Sequence, residues 1–176
     1  MGSVADPRLR ADVRIVEELS AGEALPRTAG GALAPRTVVE GWAIRYAMLS
    51  DGRRQILGFV LPGDSVGLFA PERALNRAEA RALTYLRLVE PPPIDGAGAT
   101  AANPFLEIAF QEECLLVNHV LNLGRRTAYE RTAHLFLELH DRLGAVGLSN
   151  DGVFDFPPTQ EVLADALGLS AVHSSD

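Results

Sequence analysis

The first hundred residues alternate short apolar runs with turn-forming clusters. Ala43-Ile44-Arg45-Tyr46-Ala47-Met48-Leu49 leads into Ser50-Asp51-Gly52-Arg53, and Arg54-Gln55-Ile56-Leu57-Gly58-Phe59-Val60-Leu61 follows. Two β-prone runs joined through Asp-Gly predict a hairpin, because both residues tolerate the backbone angles of a tight turn. Pro62-Gly63-Asp64 closes the second strand, and Gly22-Glu23, Gly30-Gly31 and Glu40-Gly41 punctuate the sequence before the hairpin. Short strands at such spacing predict an antiparallel sandwich or barrel. From Pro91 to Ala102 the chain is rich in Pro, Gly and Ala and reads as a linker or surface loop.

The period then changes from two to between three and four. Asn103-Pro104 opens a helix. Leu106, Ala109, Phe110, Leu116, Val117, Val120 and Leu121 fall on one face of it, with a gap at Glu113. A second helix is predicted from Arg125 to Leu143, with Ala128, Thr132, Leu135, Phe136 and Leu139 inward and Gly144 closing it. After a hairpin-like loop through Asn150-Asp151-Gly152, Thr159 caps a short helix over Gln160–Leu167. Gly168 stops that helix and Ser170 can cap another. A short amphipathic helix, a glycine turn and a new cap make the pattern of a helix-turn-helix, with small Ala164 allowing a close crossing.

Composition narrows the classes. The chain has 176 residues, 47% hydrophobic and 22% charged, enough for one packed domain, or one domain plus a small appendage. Its apolar runs are too short for a membrane helix and its N-terminus has no signal-peptide core, so the expectation is a soluble, cytoplasmic protein. The single cysteine, Cys114, excludes an intramolecular disulfide and a Cys-rich metal or iron–sulfur site. Residues 1–101 balance 12 arginines against 12 acids, whereas residues 102–176 hold 4 against 11 and carry the whole net charge of −7. Every basic residue is arginine, as a GC-rich genome would produce and as phosphate or carboxylate recognition would use.

Two constellations suggest chemistry and fail on context. Gly63-Asp64-Ser65-Val66-Gly67 matches the nucleophile-elbow pattern, but that chemistry needs a parallel sheet and a following helix, whereas here the strand belongs to a hairpin and Pro71 follows closely. His119, His134, His140 and Cys114 lack the i, i+4 spacing of helical metal ligands. No catalytic residue and no metal site is assigned, no cofactor is implied, and the chain reads as a non-enzyme.

Taken together the segments resemble the Crp/Fnr superfamily of bacterial transcription regulators, to which the cAMP receptor protein belongs. The likeness lies in Glu40-Gly41-Trp42-Ala43-Ile44-Arg45-Tyr46, in Asp51-Gly52-Arg53-Arg54-Gln55-Ile56-Leu57-Gly58-Phe59 and in Leu61-Pro62-Gly63-Asp64. It continues through Leu123-Gly124-Arg125-Arg126-Thr127-Ala128-Tyr129-Glu130-Arg131, Ala133-His134-Leu135 and Thr159-Gln160 to His173. The resemblance implies an α+β fold: a cyclic-nucleotide-binding-like antiparallel β-roll over 15–100, a dimerisation helix over 104–122, and a partial winged helix-turn-helix over 125–176. It implies a homodimer joined through 104–122, with the apolar stripe as its seam. It places Thr159 and Gln160 near a DNA phosphate, Ser170, Ala171 and His173 at the start of the reading helix, and Gly63, Asp64 and Arg77 around any small-molecule effector.

The sequence departs from the family in two places. Gly67-Leu68-Phe69 stands where cyclic-nucleotide binders carry Gly-Glu-Leu, and Arg77-Ala78 matches the phosphate-binding arginine only loosely, so the effector is unidentified. After Ser170 the chain reads Ala171-Val172-His173-Ser174-Ser175-Asp176, short of the family's full recognition helix and wing. The expectation is therefore a DNA-binding regulator with an incomplete reading element, or alternatively a DNA-incompetent dimerisation and sensor module acting on full-length relatives. Val162, Leu163, Ala166 and Leu167 are expected to form an apolar face without its usual partner.

Overall fold

The computed structural model describes residues 14–68, 78–91 and 104–169. In it seven strands precede three helices: β1 Ile15–Leu19, β2 Arg36–Glu40, β3 Ala43–Met48, β4 Arg54–Val60, β5 Ser65–Val66, β6 Glu79–Ala82, β7 Leu86–Val89, α1 Pro104–Arg125, α2 Ala128–Ala145 and α3 Gln160–Leu167. Among the described residues the strands form two antiparallel sheets, ordered β1-β7-β2-β5 and β4-β3-β6. The expected hairpin is present. Ala43 pairs with Val60 and Met48 with Arg54, and Leu49 and Arg53 close the loop through a 2.8 Å backbone hydrogen bond.

The strands' two-residue period distributes side chains between two cores. Val38, Ala43, Val60, Val66, Leu86 and Leu88 belong to one core, drawn from both sheets. Trp42, Ile44, Tyr46, Ile56 and Phe59 belong to the other, together with Leu135, Leu139 and Leu143 of α2 and Val162, Ala166 and Leu167 of α3. Phe156, from the loop before α3, meets Trp42 edge-on at 6.0 Å between ring centroids. Gly67 lets the chain leave β5 at close quarters: its φ is +74°, and a Cβ there would lie 2.5 Å from the Ala34 carbonyl oxygen.

Several boundaries differ from expectation for identifiable reasons. α1 runs to Arg125, three residues past 122. α2 starts at Ala128, after Thr127, because a capping box fixes that end: the Thr127 side chain accepts from the Glu130 backbone N–H, and the Glu130 side chain accepts from the Thr127 backbone N–H. Ala128 is consequently exposed in the first turn instead of inward. Gly144 lies inside α2, which ends at Ala145. A glycine costs a helix interior about 1 kcal/mol, which buried Leu139 and Leu143 offset. The apolar face of α3 has a partner after all: Val162, Ala166 and Leu167 are buried against the sheet and α2, while Leu163 packs at the margin of the same core.

Ser65 is buried within the roll and shares a 2.7 Å hydrogen bond with the Thr37 hydroxyl, which places it in packing. No group of His, Cys, Asp or Glu capable of holding a metal occurs among the described residues, and no helix among them is long and apolar enough to cross a membrane. Asn103 lies outside the described residues.

Candidate nucleic-acid interface

α3 is bounded at both ends by the chemistry its sequence announces. Thr159 is extended (φ −72°, ψ 165°), and its hydroxyl accepts a hydrogen bond from the Val162 N–H. At the other end Gly168 takes the left-handed conformation (φ +62°) and returns its N–H to the Ala164 carbonyl. Thr159 and Gln160 are both exposed at the N-terminal end, where unpaired backbone N–H groups and the positive end of the helix dipole favour an anion such as a phosphate. Ser170, Ala171 and His173 lie outside the described residues, so the geometry brings together only the first two of the five predicted DNA contacts.

The rest of α3 is pinned from behind. Arg54 at the start of β4 reaches Asp165 with both Nε (2.8 Å) and Nη2 (2.6 Å), and the neighbouring Gln55 side-chain amide donates to the Asp165 backbone carbonyl at 3.0 Å. From α2, the Arg131 guanidinium donates to the Leu167 carbonyl at 2.9 Å, satisfying an unpaired C-terminal carbonyl and opposing the dipole's negative end. A Cβ on Gly168 would come within 3.1 Å of Leu123 on α1. The turn that ends α3 is thus wedged against the end of α1.

Of the predicted effector residues, Gly63 and Asp64 lie in the turn between β4 and β5, and Arg77 falls outside the described residues. Asp64 accepts a hydrogen bond from the Leu61 N–H at 2.7 Å and pairs with Arg142 of α2. Arg142 also donates to Glu138 at 3.0 Å and to the Phe59 carbonyl at 2.9 Å. Only 11% of the Arg142 side chain and 17% of the Asp64 side chain are exposed, so the pair is shielded from solvent. Burial pushes the Glu138 carboxyl up from its ordinary range; the Arg142 charge pulls it back and Asp64 adds to the rise. A second cross-link joins Arg45 of β3 to Glu112 of α1 at 2.6 Å. Nearby, burial holds His119 below its usual value, partly offset by a hydrogen bond to the backbone of Ile56.

Sequence reasoning missed this junction. Arg54 and Arg131 stand out only as part of the family resemblance, and Arg142, Asp165, Glu112 and Glu138 carry no local signal of a site. Apart from the i, i+4 pair of Glu138 and Arg142, their partners lie far away in the chain, up to 111 positions for Arg54 and Asp165, and no local pattern encodes such pairs. The one available hint is the exclusive use of arginine, whose guanidinium fork suits buried ion pairs.

A two-sheet antiparallel roll, a long helix after it, and a capped short helix ending on a left-handed glycine define a mixed α+β fold of the cyclic-nucleotide-binding-like type. No protein-family profile matches the chain. It is similar to the nitrogen fixation regulation protein FixK of Bradyrhizobium diazoefficiens, at 36% identity over 138 residues covering 76% of this chain and 57% of FixK. It is also similar to the transcriptional activator protein FnrL of Cereibacter sphaeroides, at 32% over 148 residues covering 76% and 56%. Among solved structures it superposes on FixK2 from Bradyrhizobium japonicum with a TM-score of 0.70 and 30% identity, covering 90% of this chain and 79% of that one. The fold recurs in the CRP/FNR-family regulator TTHA1359 of Thermus thermophilus (TM-score 0.65, 23% identity, 90% and 81% covered). The chain belongs to the Crp/Fnr family. It spans a little over half the length of the curated relatives it matches.

Proposed function

We propose that the chain serves a dimeric, DNA-binding transcription regulator, and that it acts by binding and not by catalysis. The β-roll over 15–100 is the sensor, the helix over 104–122 joins two copies, and the segment from 125 onward carries the DNA-binding element. The observation that carries the reading is α3 itself: an exposed, capped N-terminus bearing Thr159 and Gln160, followed by the left-handed Gly168 that a helix-turn-helix uses to start its second helix. The FixK and FnrL names support it. On this reading Thr159 and Gln160 contact phosphate, and Ser170, Ala171 and His173 begin the base-reading helix. The cytoplasm is where such a protein works.

The same reading revises the part played by the turn at Gly63 and Asp64. An effector entering there, with Arg77, would meet a carboxylate already paired with Arg142, so its natural effect is to loosen or tighten the contact between roll and α2. Leu68 occupies the position where nucleotide binders hold a glutamate, which argues against a cyclic nucleotide as that effector.

The test is enrichment of a random duplex pool on the purified chain. Low salt is required, since residues 102–176 carry 11 acids against 4 arginines and oppose approach to phosphates. A two-fold symmetric motif, lost on Gln160→Glu, is the expected result. Recovery of no motif by folded protein overturns the DNA-binding reading of this chain.

A further inference from the structure

The Arg54 side chain is fixed at both of its ends. Its guanidinium grips Asp165 through two nitrogens, Nε at 2.8 Å and Nη2 at 2.6 Å, and Nη2 lies 3.8 Å from Glu161, one turn earlier on α3. Arg54 and Asp165 are 21% and 25% exposed, so water competes little for the pair. The fork is aimed before it reaches α3. It stands over the ring of Tyr46, 5.8 Å from the centroid, and the Tyr46 hydroxyl is itself held by donating to Glu79 of β6 at 2.7 Å. Gln55, the next residue of β4, repeats the attachment on the main chain by donating to the Asp165 carbonyl at 3.0 Å.

α3 contains no basic residue. Its carboxylates, Glu161 and Asp165, stand four residues apart on one face, and the cation they meet comes from the roll. Arg131 holds the far end of the helix at the Leu167 carbonyl, whereas Arg54 takes hold along its flank, nearer the N-terminus. With these contacts made, Thr159 and Gln160 remain exposed, so the grip leaves open the end where a phosphate would sit. A planar fork bonded twice to one carboxylate fixes direction as well as distance, which a point charge does not. We propose that Arg54 is the positioning residue of the DNA-binding helix: through its forked pair with Asp165, the roll sets the angle at which α3 presents Thr159 and Gln160 to a duplex. The proposal rests on α3 being a DNA-binding element and names the roll residue that sets its attitude.

The probe is a fluorescein-labelled duplex carrying the motif that wild type enriches, titrated at low salt with the full chain and followed by anisotropy. Wild type, Arg54→Gln, Arg54→Lys, Asp165→Asn and the double variant Arg54→Gln/Asp165→Asn are compared, each shown to be folded by far-UV spectrum and melting curve. Arg54→Lys takes the place of Arg54→Gln in the double variant should the latter not fold. Arg54→Gln and Asp165→Asn are each expected to weaken binding about tenfold, and the double variant no further than either, because the two side chains act as one unit. Arg54→Lys keeps the charge without the fork and should weaken binding at least about threefold. Affinities that match wild type while melting temperatures fall would reduce the pair to a structural role and overturn the proposal. Asp165→Asn binding more tightly than wild type, with Arg54→Lys equal to wild type, would overturn it in favour of simple charge neutralisation. Tighter binding by Arg54→Gln would overturn it by showing that the grip restrains α3. If folded wild type enriches no motif, the DNA-binding reading itself falls and takes the proposal with it.

Discussion

Arg142 ties α2 to the β-roll. It pairs with Asp64 and Glu138 and donates to the Phe59 carbonyl, all in a shielded site. Removing it by Arg142→Ala strands two carboxylates at the junction, so urea unfolding should show a loss of about 3–5 kcal/mol, the cost of breaking a buried pair from one side. Asp64→Asn keeps one hydrogen-bond acceptor and should cost clearly less; equal losses would show that the ion pair is not what Arg142 contributes. Two titrating neighbours give the junction opposite pH dependences. His119 is held below its ordinary 6.5, so the unfolded chain binds the proton first and stability falls as pH drops through 6.5. Glu138 is raised above its ordinary 4.5, so the folded chain holds the proton longer and stability falls as pH rises from 4.5 through the raised value. His119→Asn should therefore remove a rise in melting temperature as pH climbs toward 6.5, and Glu138→Gln a fall that begins as pH climbs above 4.5. Of these contacts only the i, i+4 spacing of Glu138 and Arg142 is legible locally. Asp64 was noticed as part of a Pro-Gly-Asp turn, but its partner stands 78 positions away.

At the scale of elements the sequence was far more informative, because turns and caps are local chemistry. Asp51-Gly52 announced the β3–β4 hairpin, and Thr159 with Gly168 bracketed α3 to the residue. Boundaries drifted where two local signals competed: Gly144 argued for an end to α2, and the packing of Leu143 carried the helix past it. What covers α3 could not be read at all, since Val162 and Leu167 look the same in sequence whether a following helix or a preceding sheet buries them. Both ends of α3 can be tested separately. Thr159→Ala removes the acceptor for the Val162 N–H and should cost about 1 kcal/mol in chemical denaturation. Gly168→Ala must hold a side chain at φ +62° while pressing toward Leu123, and should cost about 1–2 kcal/mol from the backbone conformation alone. If Gly168→Ala is neutral, the left-handed turn is not holding α3 against α1 and α2.

For the whole molecule the consequence is that the roll and the helices α2 and α3 share one core. Ile44, Ile56 and Phe59 from the sheet interleave with Leu139 from α2 and Leu167 from α3, and three side-chain links, from Arg54, Gln55 and Arg142, span the same boundary. A change in the packing of the roll therefore has a short mechanical path to α3, through side chains packed in that core. Such coupling has a thermodynamic signature. If the layers are one cooperative unit, damage on the helical side must destabilise the sheet equally, and both must melt together. Leu139 is fully buried at that boundary, so Leu139→Ala should cost about 2–5 kcal/mol through lost burial and the cavity left behind. Trp42, the chain's single tryptophan, sits on the sheet side of the same core and reports its packing by fluorescence, while far-UV circular dichroism at 222 nm follows the helices. In wild type and in Leu139→Ala alike the two signals should give superimposable urea curves, shifted together in the variant. Helical signal lost at lower urea than the Trp42 transition would mean that α2 and α3 detach as a separate unit. Coupling from the roll to the helices would then have to run through α1 and its Arg45–Glu112 link instead.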